Sequence, residues 1–223
     1  MDISQDEIFA ESEGDRWFER NQSSLETFDP ETDWPMKLIE MYHLRPQKVL
    51  EVGASNGVRL AAIAERYQSM TVAVEPSADA IQDGQTRFPH VVFNKGVAYN
   101  IPVRGEFDLV IVNFVLHWID RRNLIRSIAE VDRLVVDGGF LIIGDFFPAN
   151  ATRVPYHHLP GHGVYTYKQD YAAIFLASRL YKTIGLLTGE HASHTMHANV
   201  SEHDCIGAWL LRKTTQELYA ENR

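Results

Sequence analysis

The stretch KVLEVGASNG, residues 48–57, carries the strongest fold signal in this chain. Residues 48–52 form a short, mostly apolar run that predicts a buried strand. Gly53 and Gly57 follow, and residues 57–67 then carry apolar side chains at helical spacing. A strand, a glycine-containing turn and a helix in this order are typical of the first unit of an α/β sheet. In such sheets the turn lies where ligands bind.

The same alternation continues along the chain. The run FDLVIVN, residues 107–113, is almost wholly apolar, as expected of a central parallel strand covered on both faces. We therefore expect an α/β fold: a doubly wound, mostly parallel seven-stranded sheet with helices on both faces. Besides 48–52, strands are predicted at 70–74, 91–93, 107–113 and 140–143, helices at 77–87 and 121–135, and an antiparallel edge pair at 184–192 and 204–213.

The rest of the chain flanks this core, and we predict one domain over residues 1–223. Residues 1–45 form an N-terminal helical arm, and residues 46–146 form the cofactor-binding core. Residues 147–223 form a substrate-side segment, with an insert after strand five and the C-terminal strand pair. The stretch 146–169 is rich in Pro, His and Tyr, and a loop of this length inside a domain is usually functional.

Composition excludes several classes of protein. The 223 residues include 21 Lys and Arg against 30 Asp and Glu, a net charge of −9, which argues against a nucleic-acid partner. The single cysteine, Cys205, rules out an internal disulfide and a cysteine-based zinc site. An acidic N-terminus and the lack of a long apolar run predict a cytoplasmic protein with no membrane partner.

Histidines near the C-terminus raise the question of a metal. His191, His194 and His197 are spaced by three, and His203 follows. The region reads as loop or strand, and no catalytic Glu-His pair accompanies it. We therefore predict no metal site.

The acids around the glycine loop indicate which cofactor it binds. A dinucleotide loop needs G-x-G-x-x-G, but starting from Gly53 this chain has Ser55 and Val58 at the next two glycine positions. Glu51 precedes the loop and suits a ligand with a cationic amino-acid end. Glu75 ends the second strand, where an acid accepts both hydroxyls of a ribose. These acids fit S-adenosylmethionine better than NAD, and a nicotinamide-dependent oxidoreductase remains an alternative.

Four motifs together resemble the class I, Rossmann-like S-adenosylmethionine-dependent methyltransferases. They are E-x-G-x-x-x-G at 51–57, Glu75 after strand two, FDLV at 107–110 and DGG at 137–139, and the resemblance covers residues 46–146. The stretch NFVLHW, residues 113–118, is similar to the small-molecule branch. The resemblance implies an enzyme that uses S-adenosyl-L-methionine and releases S-adenosyl-L-homocysteine. It implies these cofactor-binding residues: Glu51, Gly53, Ala54, Ser55, Gly57, Glu75, Pro76, Val97, Ala98, Asn113 and Phe114.

Two positions depart from the family pattern. Ser55 stands at a usual glycine, and Val97 stands where many members have an acid for the adenine amine. The Val97 departure keeps open a catalytically silent, methyltransferase-like partner subunit. The segment 13–21 looks like the arm of some saccharide-pathway methyltransferases, or else is an amphipathic packing helix. This likeness and the insert rich in Tyr and His favour a small polar metabolite as the methyl acceptor, such as a sugar or a secondary-metabolism intermediate. A homodimer is compatible with the sequence.

Methyl transfer to a hydroxyl or amine needs alignment of the nucleophile and a base near neutral pH, for which histidine is suited. His117 follows the fourth strand, next to the expected methyl position, although a packed histidine is also common in this stretch of the family. The insert supplies further histidines. The catalytic candidates are His117, His157, His158 and His162. The substrate-binding candidates are Trp17, Asp145, Tyr156, Tyr165, Tyr167 and Lys168.

Overall fold

The structure is a computed structural model that describes residues 4–193, 195–197 and 204–219. Its centre is a seven-stranded sheet in which helices follow the first, second and fourth strands. The core elements in chain order are β1 (Lys48–Val52), α4 (Val58–Tyr67), β2 (Met70–Glu75), α5 (Ala78–Arg87), β3 (Val92–Lys95), β4 (Phe107–Asn113), α6 (Leu124–Asp132) and β5 (Val135–Phe146).

Shorter elements precede and follow this core. A single 3₁₀ turn, Leu116–Trp118, follows β4, and the irregular helical turn Phe9–Glu13 joins the first two helices of the arm. The remaining elements are α1 (Gln5–Ile8), α2 (Gly14–Glu26) and α3 (Trp34–Met41) before the core, and β6 (Thr152–Pro155), β7 (Tyr165–Lys168), α7 (Ala172–Ala177), β8 (Tyr181–Glu190) and β9 (Cys205–Lys213) after it.

The strand order confirms the predicted doubly wound sheet. It runs β3-β2-β1-β4-β5-β9-β8, with parallel pairing from β3 to β5 and β9 antiparallel to both neighbours. The chain reverses its direction of travel across the sheet between β1 and β4. Ligands bind at such a switch point, outside the carboxyl ends of the strands.

The strand β4 shows why the sheet is covered on both faces. Val110 and Val112 pack into one hydrophobic layer with helices α6 and α7. Leu109 and Ile111 pack into the opposite layer with α3 and α4. Successive side chains of a strand point to opposite faces, so an unbroken apolar run needs apolar neighbours on both.

Residues 137–139, the DGG motif, do not form the separate turn that one expects from two adjacent glycines. They lie inside β5, where the pairing with β4 shifts between Phe107 and Leu109. Gly138 takes a positive φ of 80° at this irregularity. Glycine permits the left-handed backbone that a bulge needs. Pairing with β4 at Val135 before the bulge and at Phe140 after it keeps the strand continuous.

The insert carries its own small structure. The strands β6 and β7 pair as an antiparallel hairpin, separate from the main sheet. Between them, Tyr156, Leu159 and Val164 pack with Trp118 into a small hydrophobic cluster that also contacts the arm. No helix in the described part of the chain combines the length and the apolar character that a bilayer crossing requires.

Candidate active site

A cavity of about 570 Å³ opens at the carboxyl ends of β1, β2 and β4, between the sheet and the arm. Volumes of this size are typical of small-molecule sites. Nine of the predicted cofactor residues line it, namely Gly53, Ala54, Ser55, Glu75, Pro76, Val97, Ala98, Asn113 and Phe114. Glu51 and Gly57 do not line it.

The glycine loop is shaped by close contacts as well as by backbone conformation. Gly53 has a φ of 72°, and a Cβ there would lie 2.3 Å from Cγ2 of Val115. Gly57 also has a positive φ and begins α4, where a Cβ would lie 2.7 Å from the ring of Phe93. Both glycines therefore permit close packing, and Gly53 also lines the cavity.

Ser55 occupies the left-handed region with a φ of 49°, which non-glycine residues rarely adopt. Its hydroxyl Oγ is buried and has no hydrogen-bond partner among the described residues. Because Ser55 lines the cavity, this unsatisfied hydroxyl fits a polar ligand atom at the loop.

Glu75 is buried at the end of β2, and the backbone of two loops surrounds its carboxylate. Oε2 accepts from the Ser55 N–H at 2.8 Å, and Oε1 accepts from the Ser77 N–H at 2.8 Å. Burial raises the pKa of Glu75 to about 7, although these two hydrogen bonds lower it. The side chain is thus held in one orientation, with oxygen lone pairs left over for further donors at the cavity wall.

Glu51 differs from the expectation of a direct cofactor contact. Its carboxylate is buried and forms an ion pair with Arg59. Burial raises the pKa of Glu51, against the lowering effect of that arginine. Arg59 also donates to Asp33 from Nη2 at 2.8 Å and from Nε at 3.0 Å, and it is Arg59 that lines the cavity. The Arg59 guanidinium, held by Glu51 and Asp33, therefore places a fixed positive charge at the cavity beside the glycine loop.

Sequence reasoning missed Arg59. It lies in the first turn of α4, two residues after Gly57. A basic residue immediately after a ligand-binding loop is the signal that would have found it.

His117 and Asp145 form a buried pair, although the two were predicted separately as base and acceptor contact. Nδ1 of His117 lies 3.0 Å from Oδ1 of Asp145, and the His117 N–H donates to Oδ2 at 3.2 Å. Asp145 ends β5, and its Oδ1 also accepts from the Phe146 N–H at 2.8 Å. His117 lines the cavity, whereas Asp145 lies behind it. The carboxylate occupies Nδ1, so Nε2 is the nitrogen left for a ligand.

An aromatic patch surrounds this histidine. We define it as Phe114, His117, Phe146 and His191, all of which line the cavity. Phe146 meets Phe114 with ring centroids 5.7 Å apart and His117 at 5.2 Å, both edge to face. His191 lies 4.9 Å from Phe146. Phe146 and His191 were not predicted, because strands β5 and β8 bring them to the site from distant parts of the sequence.

The arm forms the outer wall of the cavity. Trp17, a predicted substrate-binding residue, lines it together with Phe9, Phe18 and Phe28. Asp15 fastens the arm to the start of α5, since its Oδ1 accepts from Ser77 Oγ at 2.6 Å and from the Asp79 N–H at 3.2 Å.

The insert does not reach the cavity wall, contrary to the expectation that it forms the acceptor pocket. The side chains of His157, His158 and His162 are exposed and lie outside the lining. Tyr156 is buried against the arm, donating to Glu13 at 2.8 Å and accepting from Arg20 at 3.0 Å.

The other insert residues also make packing contacts. Tyr165 lies against Arg153, with the guanidinium 4.7 Å from the ring centroid. Tyr167 lies against Arg121 in the same way at 4.2 Å. Lys168 places Nζ 4.1 Å from the ring centroid of Phe146, on which it packs without lining the cavity. The insert therefore packs against the arm and the 3₁₀ turn, and the arm and this turn line the cavity.

The described residues contain no group of three or more His, Cys, Asp or Glu side chains placed to hold a metal ion. His191 packs in the aromatic patch instead. His194 and His203 lie outside the described residues.

Comparisons with known proteins agree with this geometry. The family described as Methyltransferase domain matches residues 49–139. The malonyl-[acyl-carrier protein] O-methyltransferase of Geobacter sulfurreducens is 29% identical over 118 residues, which cover 49% of this chain and 43% of that protein. The chain thus matches less than half the length of this relative.

Two solved structures show the same fold. The 1,6-didemethyltoxoflavin-N1-methyltransferase of Burkholderia thailandensis has a TM-score of 0.70 at 16% identity, covering 96% of this chain and 92% of that one. CalS10, an amino pentose methyltransferase from Micromonospora echinaspora, has a TM-score of 0.60 at 14% identity, covering 85% and 95%. Residues 49–139 thus match the methyltransferase-domain family, and the fold of the chain is the Rossmann-like methyltransferase fold.

Proposed function

We propose that this chain is an S-adenosylmethionine-dependent methyltransferase that acts on a small molecule. The observation that carries the proposal is Glu75, a buried carboxylate that two backbone N–H groups orient at the cavity wall. An acid after the second strand is placed to accept the two hydroxyls of a ribose. The loop before it brings the bare backbone of Gly53 and the unsatisfied hydroxyl of Ser55 to the same cavity.

The residues present fit the cofactor. Glu75 would hold the ribose, and Val97 and Ala98 would contact the adenine. Arg59, held by Glu51 and Asp33, would bind the carboxylate of the methionine part. The bound cofactor supplies an electrophilic methyl group on a sulfonium. The solved Burkholderia structure holds S-adenosylhomocysteine with 1,6-didemethyltoxoflavin, and that of CalS10 holds S-adenosylmethionine.

The His117–Asp145 pair supplies the base. Asp145 fixes the tautomer that carries the proton on Nδ1, so Nε2 can take a proton from a hydroxyl or amine nucleophile. The resulting imidazolium is stabilised by the same carboxylate. The aromatic patch and the arm would exclude water from the reacting atoms.

Two alternative functions make different demands on the site. A nicotinamide-dependent oxidoreductase would need close backbone approach at the second glycine position, where the loop has Ser55 with a Cβ. A catalytically silent methyltransferase-like protein would not need a base. In this chain the buried carboxylate of Asp145 orients the His117 ring, as a catalytic base requires.

Calorimetric titration with S-adenosylhomocysteine, NAD and NADP distinguishes a site for the methyltransferase cofactor from a nicotinamide site. We expect saturable binding of S-adenosylhomocysteine alone, and its loss or weakening in Glu75→Ala by about 1–3 kcal/mol, because a charged acceptor of buried hydroxyls is removed. Binding of NAD alone would support the oxidoreductase. Binding of none of the three would refute the proposed enzyme.

A further inference from the structure

The aromatic patch and the charges of the cavity limit the class of acceptor. This inference rests on the proposed function and deepens it. Among the described residues that line the cavity, Asp6, Arg59 and Glu75 are those with a carboxylate or guanidinium. Arg59 and Glu75 serve the cofactor end. Asp6 joins the arm to the segment after the 3₁₀ turn, because it accepts from the Asp120 N–H at 2.9 Å and from Asn123 Nδ2 at 2.7 Å.

The rings that contact His117 present flat, weakly polar surfaces. Phe114 and Phe146 present carbon rings, and His117 and His191 add imidazoles that pack edge to face or tilted against them. Aromatic rings prefer partners in offset or edge-on geometry, which a planar ligand ring can provide. A saccharide would bury several hydroxyls here, and each needs a hydrogen-bond partner that phenyl carbon cannot supply.

The proposed base, His117, favours the same class of methyl acceptor. A neutral imidazole removes a proton more readily from a phenol-type hydroxyl, whose pKa is about 10 as in tyrosine, than from an aliphatic alcohol, which is a much weaker acid. We propose that the acceptor is a planar aromatic or heteroaromatic molecule that carries one acidic O–H or N–H, rather than the sugar that the arm segment favours.

The step balances as a single displacement. A lone pair of the acceptor oxygen or nitrogen forms the bond to the methyl carbon, and the carbon–sulfur bond breaks with its electron pair going to sulfur. The positive sulfonium becomes a neutral thioether, and the proton of the acceptor passes to Nε2 of His117. Asp145 stays ionised beside the imidazolium that results.

Three probes test this inference on the whole chain saturated with S-adenosylhomocysteine: β-naphthol, its saturated counterpart β-decalol, and methyl glucoside. Calorimetric titration should show saturable binding of β-naphthol, about tenfold tighter than that of β-decalol, because only the planar ring pairs with the patch. Methyl glucoside should not bind.

Variants locate the binding. Phe146→Leu keeps an apolar side chain of similar reach but removes the ring. It should lower the affinity for β-naphthol severalfold and leave the affinity for β-decalol unchanged. Ile125→Ala, at an exposed position on α6, is the matched control and should change neither affinity.

The outcomes separate the two proposals. Failure to bind S-adenosylhomocysteine overturns both. Normal binding of S-adenosylhomocysteine without saturable binding of β-naphthol, or with β-decalol or methyl glucoside bound as tightly, overturns the aromatic acceptor alone. If Phe146→Leu does not weaken β-naphthol, the probe binds elsewhere and the inference is wrong.

Discussion

Glu75 couples cofactor binding to pH. Burial raises the pKa of its carboxyl to about 7 in the ligand-free protein. Ribose hydroxyls donate to the carboxylate and favour its ionised form, so binding lowers this pKa and releases a proton. Affinity for S-adenosylhomocysteine should therefore rise between about pH 6 and pH 7 and level off above it, with a slope approaching tenfold per pH unit on the acid side.

Calorimetric titration across this range measures the dependence, and Glu75→Ala is the control that should remove it. Affinity that stays constant or falls with rising pH in the unaltered protein would contradict the role given to Glu75.

Ser55 stores backbone strain in the glycine loop. Its left-handed φ of 49° costs about 1–2 kcal/mol for a residue with a Cβ. Ser55→Gly should raise the free energy of unfolding by about 0.5–1 kcal/mol after the extra chain entropy of glycine is subtracted. Ser55→Val, with a β-branched side chain, should lower it by about 1–3 kcal/mol. Urea denaturation of the ligand-free protein measures both, and a destabilised glycine variant would refute the strain.

Asp145 sets which nitrogen of His117 carries a proton. The carboxylate accepts from the backbone N–H groups of His117 and Phe146 as well as from the ring. Asp145→Ala removes the acceptor beside Nδ1, so the ring should adopt the tautomer protonated at Nε2 that a neutral imidazole prefers. Nitrogen-15 NMR of the histidine rings should show Nε2 of His117 change from unprotonated to protonated. Asp79→Asn, an exposed surface change, should leave the spectrum of His117 unaltered. An unchanged tautomer in Asp145→Ala would show that Asp145 does not position the ring.

The arm is held as an element by a few polar contacts at its inner side. Asp15 on α2 joins it to the first turn of α5 through Ser77 and Asp79. In Asp15→Ala we expect faster trypsin cleavage after Arg16 and Arg20, and faster dissociation of S-adenosylhomocysteine, because the arm covers the cavity. Glu19→Ala, exposed on the same helix, is the matched control. Equal rates in both variants would mean that Asp15 does not fasten the arm.

The insert shows where element-scale prediction from the sequence failed. Three histidines and three tyrosines within 156–167 suggested a substrate pocket. The hairpin β6–β7 instead leaves its histidines exposed. It packs Tyr156 against the arm, Tyr165 against Arg153 and Tyr167 against Arg121. Residue type indicates the chemistry of a side chain, but the direction in which a hairpin faces depends on what packs against it. The proposed boundaries at residues 45 and 146 remain predictions, as does a homodimer.

For the molecule as a whole, a bound ligand should stabilise the fold by mass action. The cavity is built from the arm, the sheet and the turn after β8, so S-adenosylhomocysteine would bind only the folded chain. At a concentration of about 100 times its Kd it should add about 2.7 kcal/mol to the free energy of unfolding. For a chain of this size that corresponds to a rise in Tm of about 5–11 °C. Thermal unfolding followed by circular dichroism measures it, and a rise that is undiminished in Glu75→Ala would show that the ligand binds away from the ribose site.

The sequence alone determined the α/β sheet, the glycine loop and the acid at its second strand. These features are local: hydrophobic period, glycine spacing and an acid at a strand end are all read within about ten residues. Only the tertiary structure decided that Arg59 separates Glu51 from the cavity, that Asp145 pairs with His117, and that Phe146 and His191 join Phe114 in the aromatic patch. These contacts join residues up to 77 positions apart, and which strands lie side by side depends on how the two hydrophobic layers pack over the sheet.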